Sequence, residues 1–559
     1  MSSISSLAPK VLVVGAGPTG LTLALSLLRQ GVSVRVIDKN LAANPGQRGA
    51  GLFPRTLEVL EALGLWEKVT KFAVAVPKIA IYGLPGGTQV IKEVEMISPV
   101  PATPDIPHPN GIMLGQNHLE AMLIEAIVKL GGAVDRGIEF ESLQQSEDSV
   151  HVTLENVVEG GLEDASYEYV AGMDGGKGVV RKALDLPFIG EARGESQVVF
   201  GDFYMNGIGS DRMHTWGDLQ KNGLFARPTE TPRLFSLIIG GDIQSYINSS
   251  NQIEVIKAMI KEATGGRKDI EIVDCVWHGI YRFNIRMAPQ FSKGRVFIGG
   301  DAAHVHSPTG GQGVNTGVQD GYNLAWKLAL VLHGRAPPYI LNTYETERLP
   351  VVAEMLNLTT QMLDKSLVIK DRDGGVDPKT LVRGGKLNQL GVNYRPSTIV
   401  IDDGESVEPV SSYGGPDGGP VRAGDRAPDA SGLVRVGTDE AARLFEIFDS
   451  RLHTVVIFAN RLTEELTATS ILFAKYSAEV VHFVVVGRFP SNIQPTLDFP
   501  VYEDRDGYAD KAYQTIDESG KIFIVRPDGF VGARLQNIEA VQKYFDEILC
   551  LRLSYSVKN

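Results

Sequence analysis

The chain has 559 residues, of which 43% are hydrophobic and 22% charged, the balance of a large globular protein with several cores rather than one. Its net charge of −13, carried without any basic block, argues against nucleic acid and anionic membrane surfaces as partners, and its two cysteines, Cys275 and Cys550, exclude a disulfide framework and a CxxC redox or zinc site. No apolar stretch approaches the ~20 residues of an integral membrane segment, and the polar lead Met1 to Pro9 is unlike a secretion signal, so the expected compartment is cytoplasmic.

The first predicted element is a strand at Val11-Leu12-Val13-Val14, followed by the turn Gly15-Ala16-Gly17-Pro18-Thr19-Gly20, an amphipathic helix from Leu21 to Arg29 and a second strand ending on Asp38. Gly15 suits the tight turn, Gly17 leaves room for phosphates against the backbone, and Gly20 allows close packing of helix on strand. Asp38 follows at close to the roughly 20-residue offset of a ribose-binding carboxylate, so the unit predicts an adenine dinucleotide site with its pyrophosphate at the helix N-terminus. The block Gln47-Arg48-Gly49-Ala50-Gly51-Leu52-Phe53-Pro54-Arg55 comes next, then a Pro- and Gly-rich stretch from Pro77 to Pro109 that reads as irregular, then a helix opened by Gln116. Gly172-Met173-Asp174-Gly175-Gly176-Lys177-Gly178 precedes Arg181, and β-like alternation dominates from about 183 to 285, with strands expected at Val198–Phe203, Leu234–Ile239 and Val273–Trp277.

After the strand Arg295–Ile298 the chain reads Gly299-Gly300-Asp301-Ala302-Ala303-His304, then Ser307-Pro308-Thr309-Gly310-Gly311-Gln312-Gly313-Val314-Asn315, and a helix from Val318 to Leu332. A carboxylate at a strand end, a glycine-rich turn and a helix start make a second polar-backbone pocket, suited to the ribityl chain and pyrimidine edge of a flavin. His304 and His306 also fit a metal pair, but no third Cys or acid follows at ligand spacing, so no metal is expected. A helical region continues to about Leu367, and Asp371 to Gly419 is loose and rich in Gly, Asp, Pro and Ser, with Tyr394 and the Ser397–Ile401 run as apolar anchors. Beyond Val421, strands are expected at His453–Phe458 and Val480–Val486. A short helix is expected at Leu444–Phe448, a hairpin about Pro527-Asp528-Gly529 and a final helix at the end.

In this order the Gly15/Gly17/Gly20 turn, the Arg48 block, Gln116, the Asp174 motif and the Asp301 motif resemble the single-component FAD-dependent aromatic hydroxylases, the family of phenol hydroxylase and p-hydroxybenzoate hydroxylase, over residues 8 to 365. The resemblance implies a mixed α/β fold in which a Rossmann-like FAD-binding domain (8–75, 110–182 and 286–367) carries an inserted β-rich substrate domain (76–109 and 183–285). A linker (368–420) would lead to a C-terminal thioredoxin-like domain (421–559), and with no thiol pair there, that domain is expected to be structural or dimer-forming. FAD would be held by Gly15, Gly17, Gly20, Asp38, Arg48, Gln116, Asp174, Asp301, Gly313, Val314 and Asn315.

The resemblance further implies NAD(P)H as co-substrate, dioxygen and a small aromatic substrate as partners, and hydroxylation of a phenol through a flavin hydroperoxide. Tyr281 and Arg286 fall where phenol hydroxylase-like members carry a substrate-side tyrosine followed by an arginine, and are the catalytic candidates. Tyr281, the sharper of the two, is also readable as a strand tyrosine packed in a sheet. Of Arg282 and Arg286, which alternate with apolar residues, one is expected to face the pocket, and Trp216, Trp277 and His214 either line it or pack. Two positions depart from the family: Gly178 replaces a common serine, and Ala50 stands where phenol hydroxylase places a proton-accepting aspartate. The same core also supports epoxidation, Baeyer–Villiger insertion and oxidative decarboxylation, and a non-catalytic flavin-binding interaction protein remains the alternative of a different class.

Overall fold

A computed structural model describes residues 8–306, 310–368, 382–383, 385–404, 411–414, 419–438, 440–459, 476, 478–489, 499–515 and 521–549. Ser307, Pro308, Thr309, Cys550 and most of the stretch 369–384 lie outside the described residues.

Four short apolar residues, Val11–Val14, form a strand buried on both faces, as a strand flanked by parallel neighbours must be. It pairs in parallel with Val34–Asp38 and Tyr169–Gly172, and the sheet extends to Val134–Arg136 on one side and Val296–Ile298 and Ser292–Lys293 on the other. The first helix starts with Pro18 at its first position, where the missing N–H is harmless, and runs to Arg29. It packs on the long helix Gly313–Leu332 at very close range. A Cβ at Gly317 or Gly300 would collide with the Thr19 hydroxyl, and one at Gly321 would press on the Thr19 carbonyl. Glycine at these three positions lets the two helices and the Asp301 loop close on Thr19.

The second sheet has eight strands in the order His304–Val305, Glu271–Met287, Ile189–Asn206, Leu234–Ile239, Asn222–Pro228, Met213–Asp218, Ile79–Tyr82, Val90–Val94. The last two fall inside the stretch whose sequence reads as irregular. Gly86 and Gly87, both at positive φ, turn the chain between them, and the exposed edge strand Val90–Val94 lacks the apolar alternation that would announce it. One face of this sheet is sealed: Val199, Leu224, Leu237 and Ile239 are fully buried with Ile256 and Ala263 of the helix Gln252–Ala263. The opposite face looks toward the first sheet's domain.

A third, C-terminal sheet of eight strands is ordered Ile401–Asp402, Val531–Leu535, Ile522–Val525, His453–Phe458, Val481–Gly487, Val501–Asp504, Leu433–Arg435, Ala441–Ala442. Its outermost strand comes from the loose segment, which is anchored by buried Tyr394, Ile399 and Tyr413. The strands carry no cysteine. The hairpin turn Pro527-Asp528-Gly529 meets the long helix: Trp326 Nε1 and Asn323 Nδ2 donate to Asp528 Oδ2 at 3.1 and 3.2 Å, and Tyr322 donates to the Pro527 carbonyl at 3.0 Å. Beneath it Arg526 and Lys327 both pair with Glu347, at 2.8 and 2.7 Å, in a fully buried cluster.

At this junction His453 is buried with both ring nitrogens unpartnered, its ring set edge-on to Trp326 at 5.5 Å. Burial, helped by the Arg526 charge, pushes its pKa down to about 3. The unfolded chain takes up this proton near pH 6.5 and the folded chain does not. Its contribution to stability is thus complete above about pH 6.5 and falls by up to about 1.4 kcal/mol per pH unit on acidification toward 3. His453→Leu should flatten the decline of Tm between about pH 6.5 and 4.5. A variant whose Tm declines as steeply as wild type would remove His453 as the cause.

Candidate active site

The turn after the first strand is built to leave a space. Gly15, at φ +106, lies so close to the Met173 carbonyl that no Cβ fits, and a Cβ on Gly20 would strike the Gly15 carbonyl. Gly17 is the opposite case: a Cβ there meets nothing within 4 Å. The first helix also begins with no side-chain cap and no acidic residue in its first turn, so its free N–H groups and the positive end of its dipole face that opening. Asp38 stands beside it and accepts the Ala16 N–H at 2.9 Å through Oδ2 and both the backbone and side-chain N–H of Asn40, at 2.9 Å each, through Oδ1, which fixes the turn and leaves a lone pair on Oδ2 for a hydroxyl.

Around this opening the other motifs converge. A Cβ on Gly49 would touch Val314 at 3.7 Å and Gln116 Oε1 at 3.8 Å, so the Arg48 block, the helix opened by Gln116 and the first turn of the long helix share one corner. Arg48 is exposed and held at φ +37, a left-handed conformation uncommon for a side chain of this size, with its guanidinium 5.7 Å from the centre of the Trp277 ring. Gln116 donates to Glu120 Oε1 at 2.8 Å. Burial raises the Glu120 pKa, opposed by Gln116 and the Arg48 charge. The long helix starts at Gly313 with no side-chain cap. Asn315 is committed to the fold, accepting from Phe53 N at 2.8 Å and donating to the Gly51 and Gly311 carbonyls at 2.9 Å each, so it locks the Arg48 block to the helix start.

Asp174 caps the short helix Val179–Ala183 through Oδ2, with Val180 N at 3.0 Å, while its Oδ1 is buried with no partner. Burial raises its pKa in spite of those amide bonds. A serine at 178 would bring its Cβ to 3.2 Å from both that oxygen and Arg181, so Gly178 relieves the crowding that the family's usual residue would make. Arg181 donates to the Ala302 carbonyl at 2.9 Å and stacks on Phe188, tying the Asp174 and Asp301 motifs together.

Asp301 is exposed between buried neighbours. Its loop is held from below by Asp320, which accepts Gly300 N at 3.0 Å, pairs with His304 Nε2 at 2.7 Å and receives Arg348 Nε at 2.7 Å. Burial works to raise the Asp320 pKa, but the Arg348 and His304 charges win and hold it below the usual carboxylate range. Asp320 and Arg348 carry no motif that sequence reasoning could read, and His304 belongs to this ion knot. Among the described residues no group of three His, Cys, Asp or Glu is placed to hold a metal.

Tyr281 comes to the same place from the second sheet. Its hydroxyl donates to the His306 carbonyl at 3.3 Å, and burial together with the Asp301 charge raises its pKa, so it stays a donor through the neutral range. Arg286 is not brought to it. Five positions along one strand, the two differ in parity, and Arg286 pairs in register with Val305. His214 and Trp216 face the sealed side, where His214 bonds Tyr82 and the Gly209 carbonyl at 2.8 Å each and Trp216 donates to the Gly87 carbonyl at 2.8 Å. Trp277 faces the first domain and donates to Asp202 Oδ2. Beside it Phe200, Ile238 and Phe225 are only half-buried, whereas their neighbours on the sealed face are fully buried. A Cβ on Gly279 would meet only the Trp277 ring, at 3.9 Å. The sheet thus offers an incompletely covered apolar face beside Tyr281 and Asp301.

The uncovered Gly17 space, two uncapped helix starts, and the orphan Asp174 oxygen fit a dinucleotide cofactor ending in a polar heterocycle. Comparison with known proteins agrees. The model of the FAD binding domain family matches residues 9–359. A flavin-dependent monooxygenase of Mycobacteroides abscessus is 32% identical over 550 residues, covering 96% of this chain and all of that one. Pentachlorophenol 4-monooxygenase of Sphingobium chlorophenolicum is 27% identical, covering 94% and 93% of the two chains. The crystal structure of aklavinone-11 hydroxylase with FAD and aklavinone superposes with a TM-score of 0.76 at 25% identity, covering 97% of this chain and 99% of that one. The chain belongs to the FAD binding domain family and is a flavin-dependent monooxygenase, an oxidoreductase that uses FAD.

The contrast among the three glycines is testable. Gly17→Ala should leave the Tm of the flavin-free protein unchanged and weaken FAD at least about tenfold, about 1.4 kcal/mol, because only the cofactor fills that space. Gly20→Ala should lower the flavin-free Tm itself. Titration of flavin-free protein with FAD decides it, and wild-type affinity in Gly17→Ala would remove the pyrophosphate from this turn.

Proposed function

We propose that this monooxygenase takes electrons from NAD(P)H in the cytoplasm and inserts one atom of dioxygen into a phenolic or related aromatic substrate. The observation that carries the reading is the half-covered apolar face of the second sheet beside Tyr281 and Asp301. A ring laid on Phe200, Ile238 and Phe225 would be enclosed between the sheet and the FAD-binding domain.

In this reading the Gly15/Gly17/Gly20 turn would hold the pyrophosphate of FAD and Asp38 its ribose. Arg48, Gln116 and Asp174 would flank the phosphates, and Asp301 and the helix start at Gly313 and Val314 would hold the ribityl and ring end. When bound, FAD would supply the electrons and the oxygen activation. The chain's part is to orient the ring, keep water out and control one proton. Tyr281, kept protonated by burial and by Asp301, donates a hydrogen bond to the phenolic oxygen, exchanging its long bond to the His306 carbonyl for a ligand. Ala50 is buried and brings no base, so phenolate character comes from the substrate's own acidity and from the Tyr281 hydrogen bond. The C-terminal sheet, which we assign to a thioredoxin-like unit without thiols, acts as a structural support.

Tyr281→Phe keeps the ring and removes the donor. Hydroxylation should drop by about 10²–10³ with FAD content unchanged, the scale of one lost preorganised donor. Turnover of a phenol panel with labelled dioxygen, following NAD(P)H loss and product mass, checks both claims. Wild-type turnover in Tyr281→Phe would remove the residue from catalysis, and label found only in hydrogen peroxide would make the enzyme an oxidase toward those substrates.

A further inference from the structure

The half-covered face ends in a polar border that the reaction as described does not use. Strand register places Trp277, Asp202, Ser236 and Arg227 side by side across four strands, all on the face that looks toward the FAD-binding domain. Asp202 is 0%, Ser236 2% and Arg227 7% exposed. Burying such groups without full pairing is costly, and buried polar atoms are nearly always partnered. Here they are not. Ser236 Oγ and Asp202 Oδ1 have no partner, and neither has Glu230 Oε2, two residues beyond the end of the strand that carries Arg227. The Arg227 guanidinium forms no ion pair among the described residues and makes only two long hydrogen bonds, 3.4 Å to the Pro228 carbonyl and 3.3 Å to Gln47 Oε1.

The row is held rigid although its inner atoms are unsatisfied. Gln47 N donates to Asp202 Oδ2 at 2.7 Å, Gln47 Nε2 donates to Glu230 Oε1 at 2.6 Å, and His118 Nε2 pairs with the same oxygen at 2.9 Å. Asp202 Oδ2 and Glu230 Oε1 are therefore spent on the fold, and Asp202 Oδ1, Ser236 Oγ and Glu230 Oε2 are left over. What lies beside them is the apolar strip of Phe200, Ile238 and Phe225, one register step along the strands.

We propose that Arg227 and Ser236, backed by Asp202, are specificity-determining residues that bind an oxygen substituent at the far end of the aromatic substrate from Tyr281. The proposal rests on the monooxygenase reading above and adds the class of substrate. Arg227 supplies donors to a carbonyl, carboxylate or phenolate oxygen, and Ser236 and Asp202 accept from a hydroxyl. The span sets the size. Tyr281 and Trp277 are four residues apart on one strand, about 13 Å at ~3.3 Å per residue, and Arg227 lies three strands across from Trp277, about 14 Å at ~4.8 Å per strand, so the backbone positions of Tyr281 and Arg227 are about 19 Å apart on the diagonal. A single-ring phenol held by Tyr281 cannot also reach Arg227, whereas a fused system of three or more rings with oxygens at both edges can.

The test uses FAD-loaded enzyme and two probes, 2,6-dihydroxyanthraquinone, whose hydroxyls sit at opposite ends of the three-ring system, and phenol, with Kd read from perturbation of the flavin absorption. Wild type should bind the three-ring probe at least about tenfold tighter than phenol. Arg227→Met should cost that probe about tenfold or more and phenol less than about twofold, with Arg227→Lys between the two. Ser236→Ala removes a hydroxyl that has no partner in the free protein, so its ligand-free Tm should hold or rise while its Kd for the three-ring probe weakens about threefold. Equal losses for both probes, unchanged Kd in Ser236→Ala and Arg227→Lys, or a wild type that prefers phenol would each overturn the proposal. Unchanged Kd together with a lowered ligand-free Tm would assign the row to buried water and packing. Failure of the oxygenase reading shows elsewhere, as absence of labelled product while the Kd differences persist.

Discussion

The carboxylate of Asp320 is where the separate parts of the site are referred to one another. It sits fully buried in the long helix and satisfies the Gly300 amide, the His304 ring and the Arg348 guanidinium at once. A buried carboxylate with those three partners is rigid, and losing one of them would leave an uncompensated buried charge. Because Gly300 and Gly317 also close on Thr19, this knot sets the Asp301 loop against the first helix as well as against its own. Two uncapped helix starts, the one at Gly17 and the one at Gly313, are thus held at a fixed separation by a residue that touches neither.

The second sheet works by having two unlike faces. One is saturated by helices, so the strands cannot shift to cover what is exposed on the other. A one-residue slip would move Trp277, Asp202, Ser236 and Arg227 into the helical layer and bring Val199 and Leu237 out, which the packing forbids. Gln47 joins the two domains at the residue before Arg48: its amide and its side chain fasten the polar row, while the next residue, in a left-handed conformation, turns its guanidinium over Trp277. The row and the Arg48 segment are therefore fastened to each other through one residue.

What the sequence disclosed and what it hid divide by range. The glycine turn, the strand before Asp301 and the strands Leu234–Ile239 and His453–Phe458 are local patterns that form where the residues say, and the long helix expected from Val318 begins five residues earlier, at Gly313. The site residues read from motifs cluster as a group, except that Asn315 and the inner oxygen of Asp38 serve the backbone and Arg286 stands apart from Tyr281. The Asp320 knot and the Asp202 row were not legible because each joins residues far apart in the chain whose types, Asp, Ser, Arg and Gln, are ordinary surface residues until a register brings them inside. The strands within Pro77–Pro109 were hidden for another reason: Val90–Val94 is the sheet edge, with four of its five side chains exposed so that alternation carries no signal, and Ile79–Tyr82, one strand inside it, is a four-residue apolar run with no alternation to read.

The C-terminal sheet shows why so much charge is buried far from any chemistry. Arg526, Asp528, Glu347 and Lys327 lie at 0–2% side-chain exposure, and Arg426, Arg55 and Glu58 form a second cluster nearby. Such clusters add little to stability over an apolar contact of equal volume, since desolvation offsets most of the attraction, but they permit one docking geometry and penalise every other. Arg55 belongs to the Arg48 block and donates to the Asp528 carbonyl at 2.6 Å, and Tyr322, Asn323 and Trp326 of the long helix take the rest of the turn. The hairpin therefore grips, from outside, the two segments whose other ends border the cofactor opening. A sheet without a single cysteine needs no redox task to explain its retention, because a shift of this turn would carry both segments with it.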